Sequence, residues 1–215
     1  MSDSNDTSVS MKTHLVVMTK FPEPGKVKTR LGATIGYDAA CKLHQAMVQH
    51  LLTKTIPELE FIEVRFHVAG GEEAAVTDWL GGAHWQRQAE GDLGVKMQHA
   101  ISDSIQAGAG KVLIIGTDCP AITPSHINDS VVALDECDVT FIPALDGGYV
   151  MAGMKAIHQE MFSDIEWSTE SVLELSTQRL NATGKTVKAL EPLSDIDTEA
   201  DLPHAAEILG GEPWK

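Results

Sequence analysis

Two aspartates in this chain stand where carboxylates can hold a hard cation. Asp118 follows directly on the apolar run Lys111-Val112-Leu113-Ile114-Ile115-Gly116, and Asp197 lies in Asp195-Ile196-Asp197-Thr198, just ahead of a late helical pattern. A carboxylate at the carboxyl end of a buried parallel strand sits at the crevice where α/β sheets bind ligands. Mg²⁺ and Mn²⁺ take one or two carboxylates together with substrate phosphates, and Asp118 with Asp197 supplies that count without cysteine or histidine. Asp195 and Asp197 alternate, so in extended chain they point the same way, and either could be the second ligand. The structural alternatives are an Asp capping the turn before Pro120 and acids favoured by the dipole of the helix that follows.

A phosphate-holding loop complements these acids. The chain has 16 Lys plus Arg against 31 Asp plus Glu, a formal charge of −15, yet Lys20, Lys26, Lys28 and Arg30 fall in one window, Lys20 to Leu31, opposed only by Glu23. Pro22 and Pro24 fix the path, and Gly25 lets backbone approach a ligand closely. Lys26, Lys28 and Arg30 share a side if the segment is extended; Lys26 and Arg30 share a face if it is helical. The alternative is a solvated basic turn paired with nearby carboxylates. No G-x-x-x-x-G-K-[ST] occurs, since Gly25-Lys26 is followed by Val27, and Gly108-Ala109-Gly110 precedes a strand, which argues against Walker and Rossmann sites. Nine histidines without H-E-x-x-H spacing argue against zinc. Cys41, Cys119 and Cys137 lack metal-ligand spacing and leave an odd thiol, which suits a reducing cytoplasm; Cys119 reads as a packed thiol under Pro120.

The elements that must position these residues follow from periodicity. Leu15 to Met18 predicts a buried first strand leading into the basic loop. Ala39, Leu43, Met47 and Leu51 mark a helix over Tyr37 to Lys54. Phe61 to Val68 reads as a second strand, Glu72 to Leu80 as a short helix, and Leu93, Met97 and Ile101 as the face of another. The run from Lys111 is a central parallel strand. Thr123-Pro124 supplies an N-cap and a first-turn proline for a helix with Ile127, Val131 and Leu134 inward. Asp138 to Pro143 and Tyr149 to Met154 are strands joined by the tight turn Asp146-Gly147-Gly148-Tyr149, a β-β step that breaks the alternation. Ser168 or Thr169 is expected to cap a helix through Leu180, Thr186 to Leu190 forms a late strand, and Thr198-Glu199-Ala200-Asp201 resembles a capping box.

The fold class expected is a single-domain three-layer α/β/α structure with a mixed, mostly parallel sheet over residues 13–215, after a disordered polar tail over residues 1–12. No run approaches the roughly 18 apolar residues of a membrane span, and the start lacks the apolar core of a signal peptide, so a cytoplasmic protein is expected. The acidic balance argues against nucleic acid or anionic membrane as partners of the general surface.

Six segments occur together and in order: K-x-P-x-P-G-x-V-K-T-R-L (Lys20 to Leu31), D-L-G-x-x-M (Asp92 to Met97), I-G-T-D-C-P (Ile115 to Pro120), D-G-G-Y (Asp146 to Tyr149), W-S-T (Trp167 to Thr169) and D-I-D-T-x-x-D-L (Asp195 to Leu202). Together they resemble the bacterial glycosyltransferase-A-fold family described as arsenosugar-biosynthesis or radical-SAM/selenodomain-associated glycosyltransferases. This family lies within the nucleotide-diphospho-sugar transferase superfamily. The resemblance covers nearly everything after residue 12. Val27 to Leu31 is also similar to the A-K-T/S-R-L phosphate loop of the phospholactate guanylyltransferases, without their G-x-G-x-R start. It implies a loop of Lys20, Gly25, Lys26, Lys28 and Arg30 on nucleotide phosphates, and Mg²⁺ or Mn²⁺ on Asp118 and Asp197. It also implies Leu93 and Gly94 against the base, and Asp146 near the acceptor. The activity implied is glycosyl transfer from a nucleoside-diphosphate sugar to a small-molecule acceptor, for which Asp146 and Glu166 are the candidate bases. Nucleotidyl transfer from a nucleoside triphosphate to a phosphorylated small molecule, with release of pyrophosphate, is the alternative, and a non-catalytic nucleotide-binding module the third. Base, sugar, acceptor and oligomeric state leave no signature in the sequence. Trp79, Trp85, Trp167 and Trp214 are expected to pack in the core or at an interface.

Overall fold

A computed structural model describes residues 12–215. The expected polar tail therefore lies outside the described residues, except Lys12, which opens the first strand. Seven strands form one sheet: β1 Lys12–Lys20, β2 Ile62–Ala69, β3 Trp85–Arg87, β4 Ala109–Ile115, β5 Val139–Pro143, β6 Tyr149–Met154 and β7 Val187–Ala189, in the order β3-β2-β1-β4-β6-β5-β7. Every pairing is parallel except those of β6 with β4 and β5. The sheet is thus mixed and mostly parallel, as expected, and the β-β step at Asp146 to Tyr149 is its one reversal.

β1 shows no alternation because helices cover both sheet faces. Leu15 and Val17 pack with Phe66, Leu113 and Ile115 on one face; Val16 and Met18 pack with Ile114, Phe141 and Met154 on the other. The strand is longer than its apolar run, since Thr13, His14 and Thr19 are buried with it. The helices are α1 Thr29–Ile35, α2 Tyr37–His50, α3 Glu73–Trp79, α4 Leu93–Gln106, α5 Pro124–Ala133, α6 Val172–Ala182 and α7 Leu202–Leu209. α3 and α5 cover the first face through Val76 and Ile127; α4 and α6 cover the second through Met97, Ile101 and Leu180. A smaller cluster, Leu31, Leu43, Met47, Ile196, Ala205 and Trp214, ties α1, α2 and α7 together.

α5 starts as read, with Pro124 in the first turn and a reciprocal cap between Thr123 and His126. The start of α6 differs from expectation. Neither Ser168 nor Thr169 caps it: the helix begins at Val172, Ser171 stands at the cap position without a side-chain bond, and the Thr169 hydroxyl donates back to the Glu166 carbonyl at 2.8 Å. The reason is local, because Ser168 has φ 66, a left-handed conformation that here closes a turn, and the chain runs three further residues before the helix begins. Two short elements, α1 and β3, carry no apolar periodicity that marks them in the sequence.

Candidate functional site

The chain after β7 builds the site by crossing the carboxyl ends of two strands. The amide of Leu193 donates to Pro143 at the end of β5, the amide of Leu145 donates to Leu193, and the amide of Ile196 donates to the carbonyl of Asp118 just past β4. This stitching sets Asp197 beside Asp118. Asp201 finishes the turn: one of its oxygens accepts from the amides of Asp197 and Thr198, at 3.0 and 2.7 Å, and from the Thr198 hydroxyl at 2.9 Å. The capping box read in the sequence is present, and it fixes the backbone that carries Asp197.

The two carboxylates converge on the ammonium of Lys28. Its Nζ lies 2.7 Å from Asp118 Oδ1 and 3.0 Å from Asp197 Oδ1, and donates to the Ile196 carbonyl at 2.5 Å. Packing around Lys28 opposes its charge, but Asp118 and Asp197 outweigh that and hold its pKa above the ordinary value. Asp118 shows the mirror effect: desolvation works against the carboxylate, yet the Lys28 charge and hydrogen bond leave its pKa lowered. Asp195, desolvated beside the charges of Asp118 and Asp197, is pushed up to about 7. Lys28 also stands at the entry to α1 with φ 44 and ψ 44, an uncommon conformation for a residue with a β-carbon.

These groups line one cleft of about 650 Å³ at the carboxyl end of the sheet. Lys20, Lys28, Arg30, Asp118, Asp146, Asp195, Asp197 and Leu93 all face it, with Gln88 and His44 among residues that carried no motif. His44 donates Nε2 to the carbonyl of Lys20 at 2.9 Å and so anchors the loop's first residue; desolvation lowers its pKa, leaving a neutral donor. It hides in the sequence as one polar position next to the apolar stripe of α2. Gln88 spends its amide on the carbonyls of Thr19 and His67, at 2.9 and 3.0 Å, which ties β1 to β2 at the cleft floor. Lys26 instead pairs with Glu23 at 2.5 Å, and Lys26, Gly25, Gly94 and Glu166 are not part of the cleft wall. Gly25 has φ 78, so its glycine serves the turn. Burial pushes the Cys119 thiol up to about 12, which keeps it protonated.

Elsewhere on the cleft, three motif segments dock on each other. Gly94, at the start of α4, lies under the indole of Trp167, and Gly147 lies under the backbone of Glu170. The Leu173 amide donates to the Gly147 carbonyl at 3.0 Å, and the Tyr149 hydroxyl reaches the sulfur of Met97 at 3.8 Å. Trp167, Ser168, Thr169 and Asp146 thus line the cleft, as does Lys96 of α4. Of the four tryptophans, Trp167 lines the cleft, Trp214 is buried, Trp79 packs edge-on against Phe21, and Trp85 lies under Arg87.

The donor set suits a hard divalent ion. Asp118 and Asp197 already direct one oxygen each at a single positive centre, and no soft ligand intervenes. Among the described residues no group of three or more His, Cys, Asp or Glu is placed to hold a metal, so an ion there would complete its shell with substrate oxygens and water. Among the same residues no helix is long and apolar enough to cross a membrane.

A family model described as uncharacterized protein conserved in bacteria (DUF2064) matches residues 52–169. No curated protein matches the sequence. Among solved structures, the chain is similar to a protein of Desulfovibrio desulfuricans G20 provisionally described as a nucleotide-diphospho-sugar transferase. The two share 28% identity and a TM-score of 0.81, over 87% of this chain and 83% of that one. It shares its fold with CMP:2-keto-3-deoxy-manno-octonic acid synthetase complexed with CTP, at 12% identity and TM-score 0.61 over 93% and 98% of the two chains. The same holds for Rv0371c of Mycobacterium tuberculosis H37Rv in complex with manganese, at 14% identity and TM-score 0.55 over 91% and 98%.

Proposed function

The chain belongs to the bacterial DUF2064 family, and from that premise we propose that it is a metal-dependent transferase using a nucleotide-activated donor, with glycosyl transfer from a nucleoside-diphosphate sugar to a hydroxyl acceptor as its reaction. The observation that carries this reading is the convergence of Asp118, Asp197 and Lys28 in one cleft that Asp146 also lines. The D. desulfuricans protein's description supports the donor class.

In this reading Asp118 and Asp197 hold Mg²⁺ or Mn²⁺, which when bound neutralises charge on the donor diphosphate. Lys20, Lys28 and Arg30 add charge-assisted contacts to the same phosphates, so the nucleoside diphosphate leaves without needing a proton. Asp146 takes the proton of the acceptor hydroxyl as its oxygen bonds to the sugar carbon and the carbon–phosphate-oxygen bond breaks. Of the two candidate bases, Asp146 is the one that faces the cleft. Leu93 borders the donor side of α4, and Gly94 leaves room for Trp167 to close the acceptor wall.

Lys96, which also lines the cleft, favours one second reading, nucleotidyl transfer to an anionic acceptor, in which the acceptor phosphate is already a nucleophile. Thermal melting against nucleotide sugars, nucleoside diphosphates and triphosphates, each with and without Mn²⁺, separates the two. A metal-dependent shift confined to one nucleotide sugar is expected; a ligand at 100 times its Kd adds about 2.7 kcal/mol. A shift only with triphosphates favours nucleotidyl transfer, and metal-independent binding without turnover leaves a nucleotide-binding module.

A further inference from the structure

Lys28 belongs to the basic loop, yet its ammonium stands on the acids. Three acceptors, Asp118 Oδ1, Asp197 Oδ1 and the Ile196 carbonyl, use all three of its protons, and its side chain is only 4% exposed. The oxygens it occupies are the two that a divalent ion would take. Metal–oxygen bonds of about 2.1 Å and ammonium–oxygen hydrogen bonds on the same atoms would crowd two positive centres together. The Arg30 guanidinium stands 3.9 Å from Asp197 Oδ2, and Asp195 and Asp146 add carboxylates to the same cleft, so the site still favours a cation of higher charge.

The backbone around Lys28 is held, because the Gly32 amide donates to the Lys28 carbonyl at 2.7 Å. The four-carbon stem is therefore the part that can change rotamer once the acids are taken by another cation, and the cleft it lines is where donor phosphates would lie. We propose that Lys28 is a tethered counterion that yields its two carboxylates to a divalent cation and moves onto the donor phosphates. It follows that metal and nucleotide tighten each other's binding, reciprocally and by the same factor. This inference rests on the metal-site reading given above.

The test is Mn²⁺ binding to the full chain without nucleotide, read from the electron paramagnetic resonance of free Mn²⁺. Lys28→Met, with its fold checked by circular dichroism and melting, is expected to bind Mn²⁺ about tenfold more tightly than wild type, within the usual range of coupling factors. Lys28→Arg, which keeps a cation on the tether, is expected to bind as weakly as wild type. Lys28→Gln is expected to behave like Lys28→Met, should the apolar side chain perturb the loop. Added nucleoside diphosphate is expected to tighten Mn²⁺ binding more in wild type than in Lys28→Met. Equal or weaker Mn²⁺ binding by the folded Met and Gln variants overturns the exchange and leaves the metal site standing. No Mn²⁺ binding by any form, with or without nucleotide, overturns both.

Discussion

Gly94 faces the indole of Trp167 so closely that a β-carbon there would stand 2.8 Å from the ring. The same segment meets Gly147, where a β-carbon would stand 2.1 Å from the Glu170 carbonyl. These two contacts lock residues 167–170 between α4 and the β5–β6 turn, and the two glycines are there because neither site admits a side chain.

Gly147→Ala is expected to be the more damaging change, since it combines φ 90 with a clash against backbone. A loss of roughly 2–4 kcal/mol follows from strain plus overpacking, or about 5–15 °C in Tm for a domain of this size. Gly94→Ala should cost less, about 1–3 kcal/mol, because an indole can shift. Melting curves decide it, and an unchanged Tm for Gly147→Ala would contradict the docking described.

Asp201→Ala removes the acceptor of three hydrogen bonds around Asp197 and Thr198. The freed donors reach water, so global stability should fall by only about 1 kcal/mol. Mn²⁺ affinity should drop several-fold, because Asp197 loses its fixed backbone. Isothermal titration reads this directly; unaltered affinity would show that Asp201 serves only the helix start.

Asp118→Asn should abolish the metal-dependent part of nucleotide binding, and should lower Tm without ligand modestly, because the nearly buried Lys28 ammonium loses one of its two carboxylates. Arg30→Ala should weaken nucleotide binding at low ionic strength and matter less at high salt, since Arg30 is 73% exposed and screened. A salt-independent effect of Arg30→Ala would count against a phosphate contact.

His67 predicts acid sensitivity of the fold. Desolvation lowers its pKa to about 4, against raising by Asp103 and further lowering by Arg65 and His84; Gln86 covers the ring at 3.1 Å. The unfolded chain, with a His pKa near 6.5, therefore binds the proton that the folded chain refuses. Stability is full above about pH 6.5, declines as pH falls towards 4, and loses at most about 3 kcal/mol from this group. Wild type should melt lower at pH 5 than at pH 7, and His67→Gln should narrow that difference. A difference left unnarrowed in the variant would assign the acid sensitivity to other groups.

Much of this arrangement was legible because sheet physics constrains it. Asp118 had to sit at the crevice once β4 was recognised as a buried strand, and clustered cations on an acidic chain marked the opposing loop. The pairing of Lys28 with Asp118 and Asp197 was not legible, because it depends on where the chain after β7 crosses two strand ends. His44 and Gln88 were missed for a related reason: His44 acts through one bond to a backbone carbonyl and Gln88 through two, and such bonds have no sequence signature. The start of α6 was misplaced because Ser and Thr favour turns as much as caps, and here docking of Trp167 decides for the turn.

The bond from Lys28 to the Ile196 carbonyl closes a loop spanning 168 positions. Chains emerge from the ribosome amino end first, so the basic loop and Asp118 are made long before the acid that completes them. Lys28 and Asp118 can meet early, but the cleft gains Asp197 only when almost the whole domain has been synthesised and the last crossing has been laid over β5 and β4. Ligand capture at this cleft is therefore a late event in the life of each molecule, and it reports that the entire domain is in place.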